Sequence, residues 1–191
     1  MPKIAAATLA EHQAAQRRAL VAAAMETLLA DGAAAITPAA VGRRAGLARS
    51  SVYQYFPSTA ALVAAVIEEA FPPWDAALGA ALDGVEAPAA RIDAYVEATL
   101  RLTAEGHHRA AGALLNADLP PEVRRRLAEL HRATTEPLSA AVRALGVPEP
   151  ELTARLLGGL LSAAMAAIEG GADAEVATAR VKALLAGELG G

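Results

Sequence analysis

One stretch, residues 36–56, constrains the fold of this chain of 191 residues more than any other. Thr37 is a favourable helix N-cap residue, and Pro38 follows where a first-turn proline is tolerated because its missing N–H would be unpaired anyway. Gly46 comes where the chain must turn sharply, and Gly42 is small where two crossing helices would touch. The spacing predicts a short helix, a tight turn and a second short helix, which is typical of a DNA-binding helix-turn-helix.

The second of these helices has a polar face. At about 100° of rotation per residue, Val52 and Phe56 fall on the core side, and Ser50 and Gln54 fall on the opposite side. The flanks carry cationic or hydroxyl side chains, namely Arg49, Tyr53, Ser51 and Tyr55. A helix in a major groove needs this division, since its centre meets base edges and its flanks meet phosphates. The alternative is an amphipathic surface helix whose polar side is only solvated.

Residues 36–62 resemble the N-terminal domain of the TetR family of bacterial transcriptional regulators. The family's turn reads roughly A-G-V-S, followed by a recognition helix ending Y-x-Y/H-F and then P/K-S/N-K-E-x-L. Here residues 45–48 read AGLA, residues 53–56 read YQYF and residues 57–62 read PSTAAL. The resemblance is specific, and it covers the first third of the chain.

Two positions depart from the family pattern. Ala48 stands where a Ser or Thr usually caps the recognition helix, so a cap worth roughly 1 kcal/mol is missing or shifted. Thr59 replaces a lysine that commonly contacts a phosphate, and its loss should flatten the salt dependence of DNA binding by about one unit. Both departures bear on DNA affinity.

The resemblance implies an all-α fold of about nine to ten helices. It divides the chain into a three-helix DNA-binding domain, residues 1–57, and an effector-binding and dimerisation domain, residues 58–191. Together with the face analysis, it gives these candidate DNA-binding residues: Thr37, Arg43, Arg44, Arg49, Ser50, Ser51, Tyr53, Gln54 and Tyr55.

Composition agrees with helices and excludes several kinds of chemistry. Hydrophobic residues make up 54% of the chain but aromatic residues only 3%, which favours packed helices over sheets. The absence of cysteine excludes disulfides, thiolate zinc sites and Cys catalysis. The net charge of −4 hides an asymmetry, because residues 1–67 have a net charge of +3 and the remainder −7. A basic head on an acidic body suits a DNA reader joined to a sensing domain.

Capping and breaking residues predict the helix boundaries. The first helix is expected to start at Thr8, which forms a capping box with Glu11, and to end at Gly32. A fourth helix begins at Ser58 and is interrupted by the prolines at positions 72 and 73. The predicted body helices cover residues 74–82, 88–104, 107–117, 121–145 with a kink at Pro137, 149–169 and 174–187.

The helix predicted over 149–169 contains an uncharged apolar run, residues 156–168, that is too short to span a bilayer. A helix apolar on every side must be covered on every side, and a second copy of the chain is the simplest cover. The family dimerises through its last two long helices, and the alternative is a central helix of a monomeric body. The candidate interface residues are Leu156, Gly159, Leu160, Ala163, Ala166, Val181 and Leu184.

TetR-like bodies hold a small-molecule pocket, and few side chains here could stack on or orient a ligand. The candidates are Trp74, Tyr95, Asn116, His131 and Met165. Each has an alternative as a plain core, rim or exposed residue. His107 and His108 are neighbours that point about 100° apart on a helix, so they cannot share a metal ion. The weakly polar body favours a hydrophobic effector.

The sequence therefore predicts a homodimeric, cytoplasmic transcriptional regulator, a repressor that binds a palindromic operator and is released by a small effector. The second hypothesis is an all-α binding or adaptor protein whose head has weak or no specific DNA affinity. No nucleophile–base pair, working carboxylate pair, phosphate loop or metal set is visible, so neither an enzyme, a cofactor nor a metal is predicted. No signal peptide or membrane association is expected.

Overall fold

A computed structural model describes residues 2–189 of the chain, with side chains from residue 8 to residue 187. The described part contains α-helices, one 3-10 helix and no strand, which confirms the all-α prediction. The elements are α1 (Pro2–Asp31), η1 (Ala33–Ala35), α2 (Pro38–Ala45), α3 (Arg49–Tyr55), α4 (Thr59–Ala70), α5 (Pro72–Leu82), α6 (Pro88–Ala104), α7 (Arg109–Leu115), α8 (Pro121–Leu145), α9 (Pro150–Glu169) and α10 (Ala174–Leu189).

Helix α1 begins earlier than the capping box predicted. Thr8 lies inside the helix, which starts at Pro2, so the prediction of a start at Thr8 was wrong. The alanines at positions 5–7 have the highest helix propensity of any residue and carry the helix past the capping signal. The predicted end is confirmed, since Gly32 has a φ of +82° directly after Asp31.

The double proline separates α4 from α5, as predicted. Ser58 caps α4, because its Oγ accepts a hydrogen bond of 3.0 Å from the Ala61 N–H. The helix ends at Ala70, and α5 starts at Pro72, two residues before the predicted start. The difference arises because prolines fit the first turn of a helix, where no N–H partner is needed. Helix α7 is also shorter than the predicted 107–117.

The chain forms two compact units. The first contains the residues up to Phe71 together with Ala110–Leu127. In this unit α1 packs against α2 and α4, and α2 packs against α3. Its most completely buried side chains are Leu20, Leu28, Ile36, Val41, Val52, Leu62, Val66, Ile67 and Leu114. Helix α4 thus packs with the head, whereas the division of function at 57/58 remains a prediction.

The second unit contains Pro72–Arg109 and the chain from Ala128 onward. Helix α6 is its centre and packs against α5, α9 and α10. The long side chains of the core come from α5, α6, α8, α9 and α10, and include Leu78, Ile92, Leu100, Leu102, Leu138, Val142, Leu161, Ile168, Val181 and Leu185. Burial of such aliphatic side chains is the main stabilising contribution to an alanine-rich helical body.

Helix α9 is long and apolar enough, by length and composition alone, to cross a membrane. The run at residues 156–168, predicted to be too short to span a bilayer, thus lies in a helix that is long and apolar enough to do so. A core helix of a soluble protein meets the same criterion, so this one helix is weak evidence for a membrane. Leu157, Leu161, Met165 and Ile168 pack along one side of it into the core of the second unit.

Candidate nucleic-acid interface and effector site

The turn between α2 and α3 has the geometry that the sequence predicted. The Thr37 hydroxyl caps α2 by accepting a 3.2 Å hydrogen bond from the Ala40 N–H. Gly46 adopts the left-handed conformation, with φ +70°, and its N–H donates to the Arg43 carbonyl. The Leu47 N–H donates to the Gly42 carbonyl at 2.8 Å. These contacts fix the direction in which α3 leaves the turn.

The two faces of α3 divide as predicted. Val52 and the following Phe56 are buried, at 0% and 2% exposure. The exposed side chains are Arg49, Ser50, Tyr53 and Gln54, and Ser51 and Tyr55 are half-buried. Hydrogen-bonding groups therefore occupy the middle of the outer face, where a helix in a major groove meets base edges.

Arg49 and Tyr53 form a pair on one flank of α3. The Arg49 Nη2 donates to the Tyr53 hydroxyl at 3.2 Å, and the guanidinium lies 5.6 Å from the centre of the ring. The hydrogen bond to Tyr53 raises the pKa of Arg49, which is charged at all physiological pH values. Each side chain restricts the rotamers of the other, so both point along the same flank before any phosphate is bound.

Two arginines that the sequence analysis gave the same role, Arg43 and Arg44, lie in different electrostatic surroundings. Arg44 is placed 3.4 Å from Asp31 and 3.8 Å from Glu26. Arg43 is exposed and has no ion-pair partner within residues 8–187. Arg43 is consequently the better placed of the two to meet a phosphate. Arg17 of α1 lies over the Phe56 ring, 5.1 Å from its centre.

The missing cap of α3 gives a first prediction. Ala48 has the extended N-cap conformation, with φ −66° and ψ 149°, but no side chain bonds the free N–H groups of the first turn. The variant Ala48→Ser should supply such a bond and stabilise the protein by about 1 kcal/mol. Urea unfolding followed by circular dichroism would measure the gain, and Ala48→Val, which cannot cap, is the matched control. Equal stability of the two variants would contradict a capping role at position 48.

The five candidate effector residues do not all lie together. Trp74, Tyr95 and Met165 are buried at 6%, 4% and 9% exposure and belong to the core of the second unit. His131 is exposed on α8. Asn116 belongs to the first unit, and its amide donates to the Gly112 carbonyl at 2.9 Å. The sequence thus identified three side chains of one core, and their role in effector binding stays a prediction.

A chain of polar contacts reaches the core beside these aromatic residues. The Tyr95 hydroxyl donates to the Thr134 carbonyl at 3.3 Å, and the Thr134 hydroxyl donates to Asp75 Oδ1 at 2.7 Å. Burial and the nearby Asp75 carboxylate raise the pKa of Tyr95 to about 12. Sequence reasoning missed Asp75 as a polar neighbour of Tyr95. The sequence carries one signal of a polar region in this core: Tyr95, Thr99 and Thr103 recur every four residues on one buried face of α6.

One histidine, His108, lies against Trp74, and a second, His131, interacts electrostatically with His108. The rings of Trp74 and His108 meet edge to face, with centres 5.6 Å apart. His108 Nδ1 lies 3.0 Å from Glu169 Oε1. Although the His131 side chain is exposed, the atoms packed around its ring partly desolvate it, and this, with a smaller contribution from His108, lowers the pKa of His131. Among the residues that the structure describes, no three His, Cys, Asp or Glu side chains are grouped as metal ligands would be.

An open cavity of about 570 Å³ lies elsewhere in the second unit, between the end of α6 and the end of α9. Its lining is Thr103, Ala104, Glu105, Gly106, Arg109, Ile168 and Glu169. None of the five candidate effector residues lines it. The cavity has two carboxylates and one guanidinium, and therefore does not suit the hydrophobic effector that the sequence predicted.

The predicted dimer residues lie mostly on the uncovered side of α9. Leu156 is 66% exposed and Leu184 of α10 is 48% exposed. Gly159, Ala163 and Ala166 are exposed, and Leu160 is half-buried. Val181 is 3% exposed within the core of its own unit. It lies beneath the exposed apolar side and does not contribute surface to it.

These features define a class: an all-α chain that has a helix-turn-helix with an exposed polar second helix. Residues 20–66, which are 47 of 191 residues, match the family described as "Bacterial regulatory proteins, tetR family". The chain therefore carries the helix-turn-helix domain of the TetR family, as its turn and recognition-helix motifs indicated.

Solved structures of TetR-like regulators share the fold across nearly the whole chain. A TetR-like transcriptional regulator from Rhodococcus sp. RHA1 is 19% identical, with a TM-score of 0.76 and coverage of 92% of this chain and 96% of that one. PfmR, a TetR family regulator from Thermus thermophilus, is 22% identical, with a TM-score of 0.66 over 85% and 94% of the two chains. AibR, solved with isovaleryl coenzyme A and operator DNA, is 14% identical, with a TM-score of 0.73 over 87% and 96%. No curated protein sequence matches the chain.

Proposed function

We propose that the protein is a ligand-responsive transcriptional repressor that binds a palindromic operator as a homodimer. The observation that supports DNA binding most directly is the outer face of α3. It presents Ser50 and Gln54 at its centre and the Arg49–Tyr53 pair at its flank, while Val52 fixes the opposite face in the core. Base-edge groups at the centre and phosphate groups at the flank are the arrangement of a recognition helix.

The proposed site extends beyond α3. Thr37, which is exposed at the N-cap of α2, and Arg43 would contact the DNA backbone, together with Ser51 and Tyr55 on the other flank of the recognition helix. Arg44 would contribute more weakly, since two carboxylates already offset its charge. Functionally, residues 1–57 would read DNA and residues 58–191 would bind effector and dimerise.

The homodimer is supported by the exposed apolar side of α9 and α10. The interface would contain Leu156, Gly159, Leu160, Ala163, Ala166 and Leu184. Large exposed apolar surfaces of this kind mark interaction sites in soluble proteins. Two copies would present two recognition helices to successive major grooves, so a palindromic site mirrors the two-fold symmetry.

We further propose that a small, hydrophobic effector binds the second unit and releases DNA. An effector can do so only if it binds the released conformation more tightly than the DNA-bound one. The AibR structure, which contains both isovaleryl coenzyme A and operator DNA, is a precedent for such a pair of ligands on this fold. The proposal includes no enzymatic activity and places the protein in the cytoplasm, where its operator is found.

Selection of bound fragments from a genomic DNA pool tests the proposal. Purified protein should enrich a palindromic sequence, and the same selection with Gln54→Ala should relax the preference at one position of each half-site. Loss of a good base contact costs about 1–3 kcal/mol. Gln13→Ala, which removes an exposed glutamine from α1, is the matched control and should enrich the same palindrome. No enrichment at low salt would reject the repressor.

The alternative remains an all-α binding or adaptor protein with weak DNA affinity. Two observations favour it: α3 lacks a side-chain cap at Ala48, and Thr59 stands where the family commonly has a lysine. A specific complex should weaken steeply with salt, whereas an adaptor would show neither a steep salt dependence nor an effect of Gln54→Ala.

A further inference from the structure

The ends of α6 and α9 meet at the open cavity of about 570 Å³ in the second unit. All of its lining residues belong to that unit, and its volume lies within the range of about 300–1,000 Å³ that is typical of small-molecule sites. A helix carries a negative partial charge at its C-terminal end, because its peptide dipoles are aligned. Both helix ends therefore favour a positive charge in the cavity.

Two carboxylates in the cavity lining have the same preference. Both oxygens of Glu105 are engaged, since Oε1 accepts a hydrogen bond of 2.9 Å from Arg101 and Oε2 lies 3.6 Å from His107 Nε2. Glu169 Oε1 lies 3.0 Å from His108 Nδ1, and Glu169 Oε2 accepts no hydrogen bond from the residues that the structure describes. Glu169 is thus the carboxylate that has an oxygen free to accept an N–H of a ligand.

Arg109 brings a positive charge to the same cavity. Its guanidinium forms no ion pair and no hydrogen bond with any side chain or backbone group of residues 8–187. Gly106 has a φ of +83° and turns the chain after α6, and its carbonyl accepts a 3.4 Å hydrogen bond from the Arg109 N–H. The free guanidinium has a planar set of donors that fits both oxygens of a carboxylate.

A ligand with a single charge fits this lining poorly. An anion would be attracted by Arg109 but repelled by the two carboxylates and the two helix ends. A cation would satisfy those groups, but Arg109 would repel it and remain unpaired. A zwitterion satisfies both, and the side chains of Ile168 and Ala104 supply apolar surface beside the charges.

We propose that this cavity binds a small amino acid with an apolar side chain. The ammonium group donates to Glu169 at the end of α9, the carboxylate pairs with Arg109, and the side chain packs on Ile168 and Ala104. The site goes beyond the proposed function, because its lining does not suit a hydrophobic effector and its existence does not depend on DNA binding.

Isothermal titration calorimetry of the full-length protein at low ionic strength tests the site with three ligands. They are L-norleucine, pentylamine, which is norleucine without its carboxylate, and hexanoate, which is norleucine without its ammonium group. Norleucine should bind at least about tenfold more tightly than either analogue, since each analogue loses one charge-assisted contact. No binding of norleucine, or an affinity for either analogue equal to that for norleucine, would overturn the proposal without any variant.

Two substitutions then assign the charges of the ligand to their partners. Arg109→Gln, at an exposed position, should lower the affinity for norleucine about tenfold, to that for pentylamine, because the carboxylate loses its partner. Glu169→Gln should likewise lower it to the affinity for hexanoate. Arg132→Gln, which removes an exposed guanidinium from α8, is the matched control and should change neither affinity. A preference for norleucine over pentylamine that survived in Arg109→Gln would reject the site.

Operator affinity, measured on the same preparations, separates this site from the proposed function. Operator binding without norleucine binding would refute the amino-acid site and leave the repressor standing. The predicted preference for norleucine without operator binding would support the site and refute the repressor.

Discussion

Gly42→Ala should destabilise the head and lower specific DNA affinity, although alanine is the better helix former. A Cβ at Gly42 would lie 2.8 Å from the Leu47 carbonyl oxygen and 3.1 Å from Val52 Cγ2. The Leu47 oxygen belongs to the backbone of the turn, and the 2.8 Å hydrogen bond from the Leu47 N–H to the Gly42 carbonyl holds that backbone in place. Val52 Cγ2 belongs to a fully buried side chain. Neither can move without shifting α3.

Two contributions of opposite sign determine how much Gly42→Ala changes the unfolding free energy. Overpacking a closely packed contact costs about 1–3 kcal/mol, and replacing a mid-helix glycine by alanine returns about 1 kcal/mol. With two close contacts, we expect a net loss of about 1–2 kcal/mol of unfolding free energy. Specific DNA affinity should fall about tenfold or more, since base contacts of about 1–3 kcal/mol each depend on the placement of α3.

Gly79→Ala is the matched control. Gly79 lies within α5, and apart from the backbone of its own helix no atom lies within 4 Å of the added Cβ, so only the helix propensity changes. We expect that variant to be more stable by about 0.5–1 kcal/mol and to bind DNA unchanged. Urea unfolding and operator titration of both variants provide the comparison. Equal increases in unfolding free energy for Gly42→Ala and Gly79→Ala would contradict the prediction and show that α2 and α3 have room to separate.

Sequence reasoning predicted the head well because its signals are local. The cap at Thr37, the left-handed Gly46 and the two faces of α3 depend on neighbours within one or two turns, and the structure confirms all three. Helix boundaries at Pro88 and Pro121 follow from prolines in the same way. The error at Thr8 arose where two local signals competed, and alanine propensity prevailed over a capping box.

Contacts between distant segments were not predictable. The sequence could not pair Arg44 with Asp31, which is 13 residues away, nor Asp75 with Thr134, which is 59 residues away. Each pair depends on how helices pack, and the periodicity of one helix does not specify the register of another. The effector candidates show the same limit: aromatic side chains were identified by type, whereas the carboxylate beside them was not.

The exposed apolar side of α9 carries the second large prediction. Leu156→Glu should convert a dimer to a monomer, because two-fold symmetry would bury two new carboxylates in one apolar interface, where each lacks a partner. Leu156 is 66% exposed in the single chain, so the substitution removes little from the core of its own unit. Light scattering coupled to size exclusion would measure the mass, and urea unfolding would show whether the monomer remains folded.

The DNA affinity of Leu156→Glu should fall as its mass falls from that of a dimer to that of a monomer. A monomer engages one half-site at a time, and loss of the linked second site lowers avidity by about 10²–10⁴. Leu9→Glu is the control for mass, since Leu9 is 58% exposed on α1 in the other unit. Because the added charge at position 9 lies away from the proposed interface, the Leu9→Glu protein should keep the mass of a dimer. If Leu156→Glu kept that mass, α9 would not be the interface, and its apolar side would need a different partner.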